Sequence, residues 1–308
     1  MFKYSLDNKR YHTLNYFYKN KFGIKVFKVS LNAGFSCPNL DGKVGFGGCT
    51  YCSHTGSGEF GGDKNKSLTV QFEEMKKIVN KKNIPCKYIG YLQARTNTYA
   101  KIERLKEVYE EVLSLPEVIG LNIATRCDAI SDACLDYLTE INKRTLLTIE
   151  LGLQTIHDGT SKLINRCHTL EQFDLMVNKL RQRHINVVVH IINGLPYETE
   201  EMMLDTIRHV NSLDIQGVKI HMLHIIKDTA MANLYLKENF HVLTKEEYID
   251  VVIKQLELLR PEIIINRITS DPDKSNLLEP TWLLGKCQLL NDIDKEMKKR
   301  NTYQGVNL

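Results

Sequence analysis

Apolar positions recur along this chain in two alternating patterns. Short apolar runs predict strands, and longer stretches with apolar residues three and four apart predict helices. Lys25–Asn32 (KVFKVSLN) reads as the first strand, and Ser67–Asn80 follows with helical spacing at Leu68, Phe72, Met75, Ile78 and Val79. Further strands are predicted over Cys86–Leu92, Val118–Ala124, Leu146–Leu151, Ile185–Ile192 and Gly217–Leu223. Helices are predicted between them over Ile102–Leu113, Ser131–Asn142, Leu170–Arg183 and Glu198–Leu213, with Ser131 as a cap. Such apolar strands suit a sheet buried on both faces, and the connections are long enough for right-handed crossovers. The alternation therefore predicts an α/β fold with a parallel sheet, either a partial (β/α)6 TIM-like barrel or a flat doubly wound sheet.

After Lys227 the pattern changes. Asp228–Phe240 and Thr244–Arg260 read as helices, Glu262–Ile268 as a further strand, Thr269–Pro280 as a turn-rich stretch, and Trp282–Lys299 as a last helix. Three regions follow: a short N-terminal segment (1–23), a core barrel (24–227) and a mainly helical C-terminal extension packed on it (228–308).

Charge changes this picture little. The 308 residues carry a net charge of +4, too mild to mark a nucleic-acid binder by itself. Lys9, Arg10, Lys19, Lys21, Lys25 and Lys28 do crowd the start, mixed with Tyr11, His12, Tyr16, Phe17 and Tyr18. That mixture suits base stacking and phosphate binding, and equally suits a first helix packed on the barrel. No apolar run reaches the ~20 residues of a membrane span. The polar, aromatic start does not resemble a secretory signal, so a cytoplasmic location is expected.

Cysteine changes it more. Eight cysteines in such a chain should be thiols or metal ligands rather than disulfides. Cys86, Cys127, Cys134, Cys167 and Cys287 are scattered and read as buried thiols. Cys37, Cys49 and Cys52 stand together in GFSCPNLDGKVGFGGCTYCSHTGSGEFGG, eleven and then two residues apart. The C-x-x-C pair brings two thiolates to one metal or cluster, and the glycine-rich loop can wrap a third around it. A zinc site with His54 as fourth ligand fits this segment too. A three-cysteine [4Fe–4S] cluster would instead leave one iron open.

The segment resembles the radical S-adenosylmethionine (SAM) superfamily: three cysteines after the first strand, with the aromatic Tyr51 just before the last. The long first spacing looks like the group related to the elongator catalytic subunit. The whole chain resembles the YhcC/YtqA-like family through KVSLNAGFSCPNLDG, GGCTYCSHTGSGEF, YLQARTNTYA, ATRCDAI, ELGLQTIHDGTSKLINRCHT, HIINGLPYET and GVKIHMLHIIKDTAMANLY. The resemblance implies a [4Fe–4S] cluster on Cys37, Cys49 and Cys52, SAM as cosubstrate, and a one-electron donor such as flavodoxin or ferredoxin.

It also implies SAM contacts. Gln93, Thr96 and Asn97 stand where relatives carry a glycine-rich GGE-type turn. Thr125, with Arg126 and Asp128, forms a TRxD-like turn facing cofactor or substrate. Gln154 and Arg166 correspond to residues that approach the SAM ribose and carboxylate, and a guanidinium fork suits a carboxylate. Glu150 lies in an apolar strand and requires a partner there. His190, and more weakly His221, are candidates at later strand ends. For substrate, the resemblance suggests a tRNA wobble uridine; a peptide or small metabolite is the alternative, and a non-catalytic, zinc-stabilised RNA-binding protein the further one.

Overall fold

The computed structural model describes residues 2–56 and 58–308. Helix α1 (Leu14–Phe22) precedes β1 (Lys25–Leu31), α2 (Leu68–Val79), β2 (Cys86–Leu92), α3 (Ile102–Ser114), β3 (Val118–Thr125), α4 (Asp132–Asn142) and β4 (Leu146–Gln154). There follow α5 (Asp158–Leu163), α6 (Leu170–Arg181), β5 (Asn186–Asn193), α7 (Glu200–Ser212), β6 (Gly217–Met222) and β7 (Ile225–Ile226). Helices α8 (Ala230–Glu238) and α9 (Lys245–Leu258), strands β8 (Ile264–Arg267) and β9 (Leu277–Glu279), and α10 (Lys286–Lys299) complete the chain.

Seven strands form one parallel sheet in the order β1-β2-β3-β4-β5-β6-β8. The expected partial barrel is present, with one strand more than the six that alternation predicts. The seventh comes from beyond residue 227, where β8 registers Ile265 against Val218. Helix α1 packs on β1, and the chain just before it crosses to the far edge. Thr13 bridges Ile265, and the Ile265 amide donates to the His12 carbonyl at 2.7 Å. Tyr11 and Tyr18 are buried, and Tyr4 stacks on His12. These aromatics of the N-terminal segment thus serve the barrel seam.

Alternation along the strands separates two environments. In β4, Leu147, Ile149, Leu151 and Leu153 are fully buried against the helices. The intervening Glu150, Gly152 and Gln154 line the barrel's hollow, as do Lys28 and Ser30 of β1, His190 and Ile192 of β5, and Lys219 and His221 of β6. The strands are therefore not apolar on both faces as expected. The inner face is polar because it encloses a cavity rather than a packed core.

Two glycines show how closely the outer layers meet. A Cβ on Gly120 would lie 2.6 Å from the Leu146 carbonyl oxygen and 2.7 Å from Ile89 Cδ1, whereas one on Gly159 would meet nothing within 4 Å. Gly120→Ala is expected to destabilise the fold by about 1–3 kcal/mol, the usual cost of forcing atoms into a packed site. Gly159→Ala should cost nothing. Denaturant unfolding of the two variants checks this, and equal midpoints would refute the packing argument.

Candidate active site

Three segments converge on the C-terminal ends of the strands. The loop after β1 carries Cys37, Cys49 and Cys52, all free thiols. Consecutive left-handed residues, Gly47 and Gly48 (φ 76° and 77°), turn it back on itself, a conformation that suits glycine. Asn39 ties the loop together: its amide donates to the Asn165 carbonyl at 2.6 Å and points at Cys49 Sγ at 3.6 Å. Asn165 in turn donates to the Phe46 and Gly48 carbonyls. The Thr50 amide donates to Ile164 O at 3.0 Å, and Met231 N donates to Thr50 O at 2.9 Å. The loop is thus clamped between the α5–α6 turn and the start of α8.

The cysteines line a cavity of about 580 Å³ that opens at the strand ends. Gln93, Thr96, Thr125, Arg126, Gln154 and His190 line it as well. Gln154 takes φ 63° at the end of β4, the kind of sparsely populated backbone state that gathers at functional sites. Thr125 and Thr98 share a hydroxyl–hydroxyl bond of 2.6 Å. Arg126 holds Asp128 through Nε and Nη2 at 2.9 and 2.7 Å. Cys49 is drawn down to about 6, first by its bond with Cys52 and, against burial, by the nearby Arg126.

Two expected SAM contacts lie behind this wall. Arg166 is 1 % exposed, and its guanidinium is spent on carbonyls of Leu153, Thr155 and His168. It is a brace for the β4–α6 connection, whereas Arg95, Arg126 and Arg267 are arginines that line the cavity. Asn97 is fully buried and donates to the Ala94 and Ala124 carbonyls at 3.1 and 2.9 Å. It fixes the turn that presents Thr96. Among the scattered cysteines, Cys86, Cys127 and Cys134 are buried as expected, but Cys167 and Cys287 are exposed. Cys167 sits in a left-handed turn (φ 61°), and Cys287 lies in the first turn of α10, a helix that buries only Leu289, Ile293 and Met297.

Deeper in the barrel, Glu150 has the partners its position demands. Oε1 accepts from Lys28 Nζ and Asn122 Nδ2, both at 2.8 Å. Oε2 accepts from His190 Nε2 at 2.9 Å and from Lys219 Nζ. Lys219 also donates to Tyr91 Oη at 2.9 Å. Burial opposes ionisation of Glu150, but Lys219 and Lys28 overcome it and hold the carboxyl well below the usual carboxylate range. Lys28 and Lys219 were not anticipated from the sequence. Their signal is a lysine at the inward position of an alternating strand, KVFKVSL and GVKIHM.

His190 gives this network a pH dependence. Burial, followed by Lys219, pushes its pKa from the ordinary 6.5 to about 4. The unfolded chain therefore binds a proton between pH 6.5 and 4 that the folded chain refuses, so stability falls as pH falls through that window. Lowering pH from 7 to 5 should cost about 2 kcal/mol from this residue. His190→Gln should flatten the dependence by that amount in denaturant melts, and an unchanged slope would contradict it.

The cavity's donor set fits an iron–sulfur cluster and SAM. Three thiols converge on one chamber beside an arginine, with strand-end polar groups around it. Among the described residues no three His, Cys, Asp or Glu side chains gather tightly enough for a single ion; a cluster places its three cysteines on three separate irons and needs no such gathering. Thr50 lines this chamber, and its buried hydroxyl has no hydrogen-bond partner among the described residues.

A seven-stranded parallel half-barrel with such a loop after β1 is radical SAM architecture. Residues 45–210 match the radical SAM superfamily and residues 215–299 the Radical_SAM C-terminal domain, and the chain belongs to that superfamily. Within it, the chain belongs to the YhcC/YtqA-like family: it is 48% identical to YtqA of Bacillus subtilis over 304 residues, covering 99% of this chain and 94% of that one. It is 32% identical to YhcC of Escherichia coli K12 over 280 residues, covering 91% and 89%. The fold is that of Methanocaldococcus infernus Elp3 lacking residues 1–46, with a TM-score of 0.68 at 18% identity, covering 91% of this chain and 64% of that one. The cofactors are those of the superfamily, a [4Fe–4S] cluster and SAM, and the zinc reading built on His54 gives way. Among the described residues no helix is long and apolar enough to cross a membrane.

Proposed function

We propose that this radical SAM enzyme modifies a tRNA wobble uridine, with Cys37, Cys49 and Cys52 as the cluster ligands. The observation that carries the site assignment is the convergence of these three thiols with Gln93, Thr96, Thr125 and Gln154 on one chamber at the strand ends, where barrel enzymes build their active sites. When bound, the cofactors would supply reductive cleavage of the SAM sulfonium, using one electron from an external donor, and with it the means to take a hydrogen atom from the substrate.

The protein's own residues do the rest. Gln93, Thr96, Thr125 and Gln154 offer hydroxyls and amides to the nucleoside and amino-acid ends of SAM, and Arg126 offers a guanidinium to a carboxylate. Asn97 and Arg166 hold those turns in place from behind. Tyr51 and the apolar cluster of Ile164, Leu223 and Met231 keep water from the cluster side. A small electron-transfer protein, flavodoxin or ferredoxin, serves as donor.

The tRNA assignment draws on the elongator-like character of the sequence and on a partial match, 24% identical over 177 residues, to tRNA uridine(34) acetyltransferase of Methanocaldococcus infernus. Nucleoside mass spectrometry of tRNA from a deletion strain tests it. Accumulation of a precursor at the wobble uridine is expected. An unchanged wobble profile would remove tRNA and favour a peptide or small metabolite.

A further inference from the structure

On the barrel floor Lys28 and Lys219 share one carboxylate, and burial lowers Lys219 to about 7, so an anion entering the cavity would favour its charged form. Glu150 accepts four bonds, from Lys28, Asn122, His190 and Lys219, which fill the lone pairs of its two oxygens. An ammonium has three N–H donors. Lys28 spends one on Glu150, and Lys219 spends two, on Glu150 and Tyr91. Among the described residues the remaining donors find no acceptor. Yet both side chains are largely buried, 16% and 8% exposed, and both line the cavity.

The neighbours do not supply the missing negative charge. His190 bonds Glu150 through a ring nitrogen and is held neutral by burial. The His221 ring lies 5.2 Å from it, tilted by 52°, and burial drives it neutral as well. Arg267 adds a further cation on the same wall and is paired with Asp271 at 2.9 Å. The Tyr91 ring lies 4.4 Å from Lys219 Nζ and 5.3 Å from Lys28 Nζ, which eases their burial without neutralising it. SAM brings a sulfonium cation and a zwitterionic amino-acid end, so it adds no net negative charge. Two buried ammonium groups sharing one carboxylate are incompletely neutralised, and an anion that comes and goes through the cavity would complete the pairing.

We propose that Lys28 and Lys219, held apart by Glu150, form an oxyanion subsite on the barrel floor that receives a carboxylate or phosphate group of the substrate. This rests on the cavity being the active site. It gives the substrate a chemical class: a molecule whose inserted end carries an oxyanion. The lysines bind and orient that group through charge-assisted N–H bonds, and Glu150 sets their spacing.

The test uses the full-length reconstituted protein and three probes: acetate, inorganic phosphate and the neutral acetamide, each titrated calorimetrically. At least one anion is expected to bind while acetamide does not. Acetate alone identifies a carboxylate subsite, phosphate alone a phosphoryl subsite, and both a general oxyanion subsite. Lys28→Met and Lys219→Met should each weaken binding about tenfold, the worth of one charged hydrogen bond. Glu150→Gln should tighten it, because the competing internal carboxylate is gone; a merely structural role for these residues predicts no tightening. This last variant also serves if a lysine variant fails to fold. Absence of anion binding in the wild type, or equal binding by wild type and both lysine variants, overturns the proposal. Iron content and 5′-deoxyadenosine release on the same preparation are read separately. Their failure with anion binding intact refutes the radical SAM site and leaves the subsite standing.

Discussion

Glu150→Ala is expected to lower stability by about 3–5 kcal/mol, the cost of removing one partner from a buried ion cluster. The side chain is fully buried, and four donors aim at its carboxylate. Alanine would leave Lys28, Lys219 and Asn122 facing a hole, with two like charges inside the barrel. Against a total of about 5–15 kcal/mol, such a loss leaves the fold marginal. At about 1.5 °C per kcal/mol for a chain of 308 residues, it corresponds to a drop of roughly 5–8 °C in melting temperature. Glu150→Gln should cost less, since the amide oxygen still accepts from one lysine. Removing all three charges together, with Glu150→Leu, Lys28→Met and Lys219→Met, should recover most of the loss. Guanidinium melts at pH 7 check the series. A loss below about 1 kcal/mol for Glu150→Ala, the range of a surface ion pair, would show that the cluster is solvated.

The second large effect concerns the cysteines. Cys49→Ala is expected to abolish both iron retention after anaerobic reconstitution and release of 5′-deoxyadenosine from SAM. Cys37→Ala and Cys52→Ala should do the same, because a cluster held by two thiolates has lost a covalent anchor on one iron. Cys167→Ala is the informative control. Its thiol lies beside the cysteine loop, near Gly45, bonded to Asn165 Oδ1 at 3.1 Å, but the sequence and the cavity both leave it outside the ligand set. Iron content and absorption of the four variants decide the matter: full iron in Cys49→Ala would refute the assignment, and loss of iron in Cys167→Ala would enlarge the ligand set.

The sequence made the frame of the site legible because strands and loops announce themselves locally. The period of apolar residues located the strands within a few residues, and the spacing of Cys37, Cys49 and Cys52 pointed to a cluster before any geometry was known. Glu150 was legible in a stronger sense. A carboxylate inside LLTIEL must be paired, and it is. Its partners were not legible, because Lys28 and Lys219 stand 122 and 69 residues away. They become visible only once the strands are set side by side. Arg166 shows the opposite limit. Its offset from Gln154 is a sequence fact, but whether a guanidinium turns toward a cavity or toward backbone carbonyls depends on which carbonyls lie open nearby, here those of Leu153, Thr155 and His168. The strand β8 escaped the barrel count for a related reason: two helices separate it from β6, so nothing local ties Ile264–Arg267 to Gly217–Met222.

The seam at the barrel's edge has a consequence for how the molecule is assembled. Residues 9–13 join β8 and the last segment together: Ile265 N donates to His12 O, Gln304 Oε1 accepts from His12 N at 2.8 Å, and Lys9 pairs with Asp294. The His12–Gln304 contact spans 292 positions. Contacts of such separation close the largest loops and are the slowest to be won from chain entropy. Leu14, at the same seam, lines the cavity. Residues 9–13 therefore cannot settle on the barrel's edge before residues 264–304 are in place, and the side wall of the chamber is sealed late in folding.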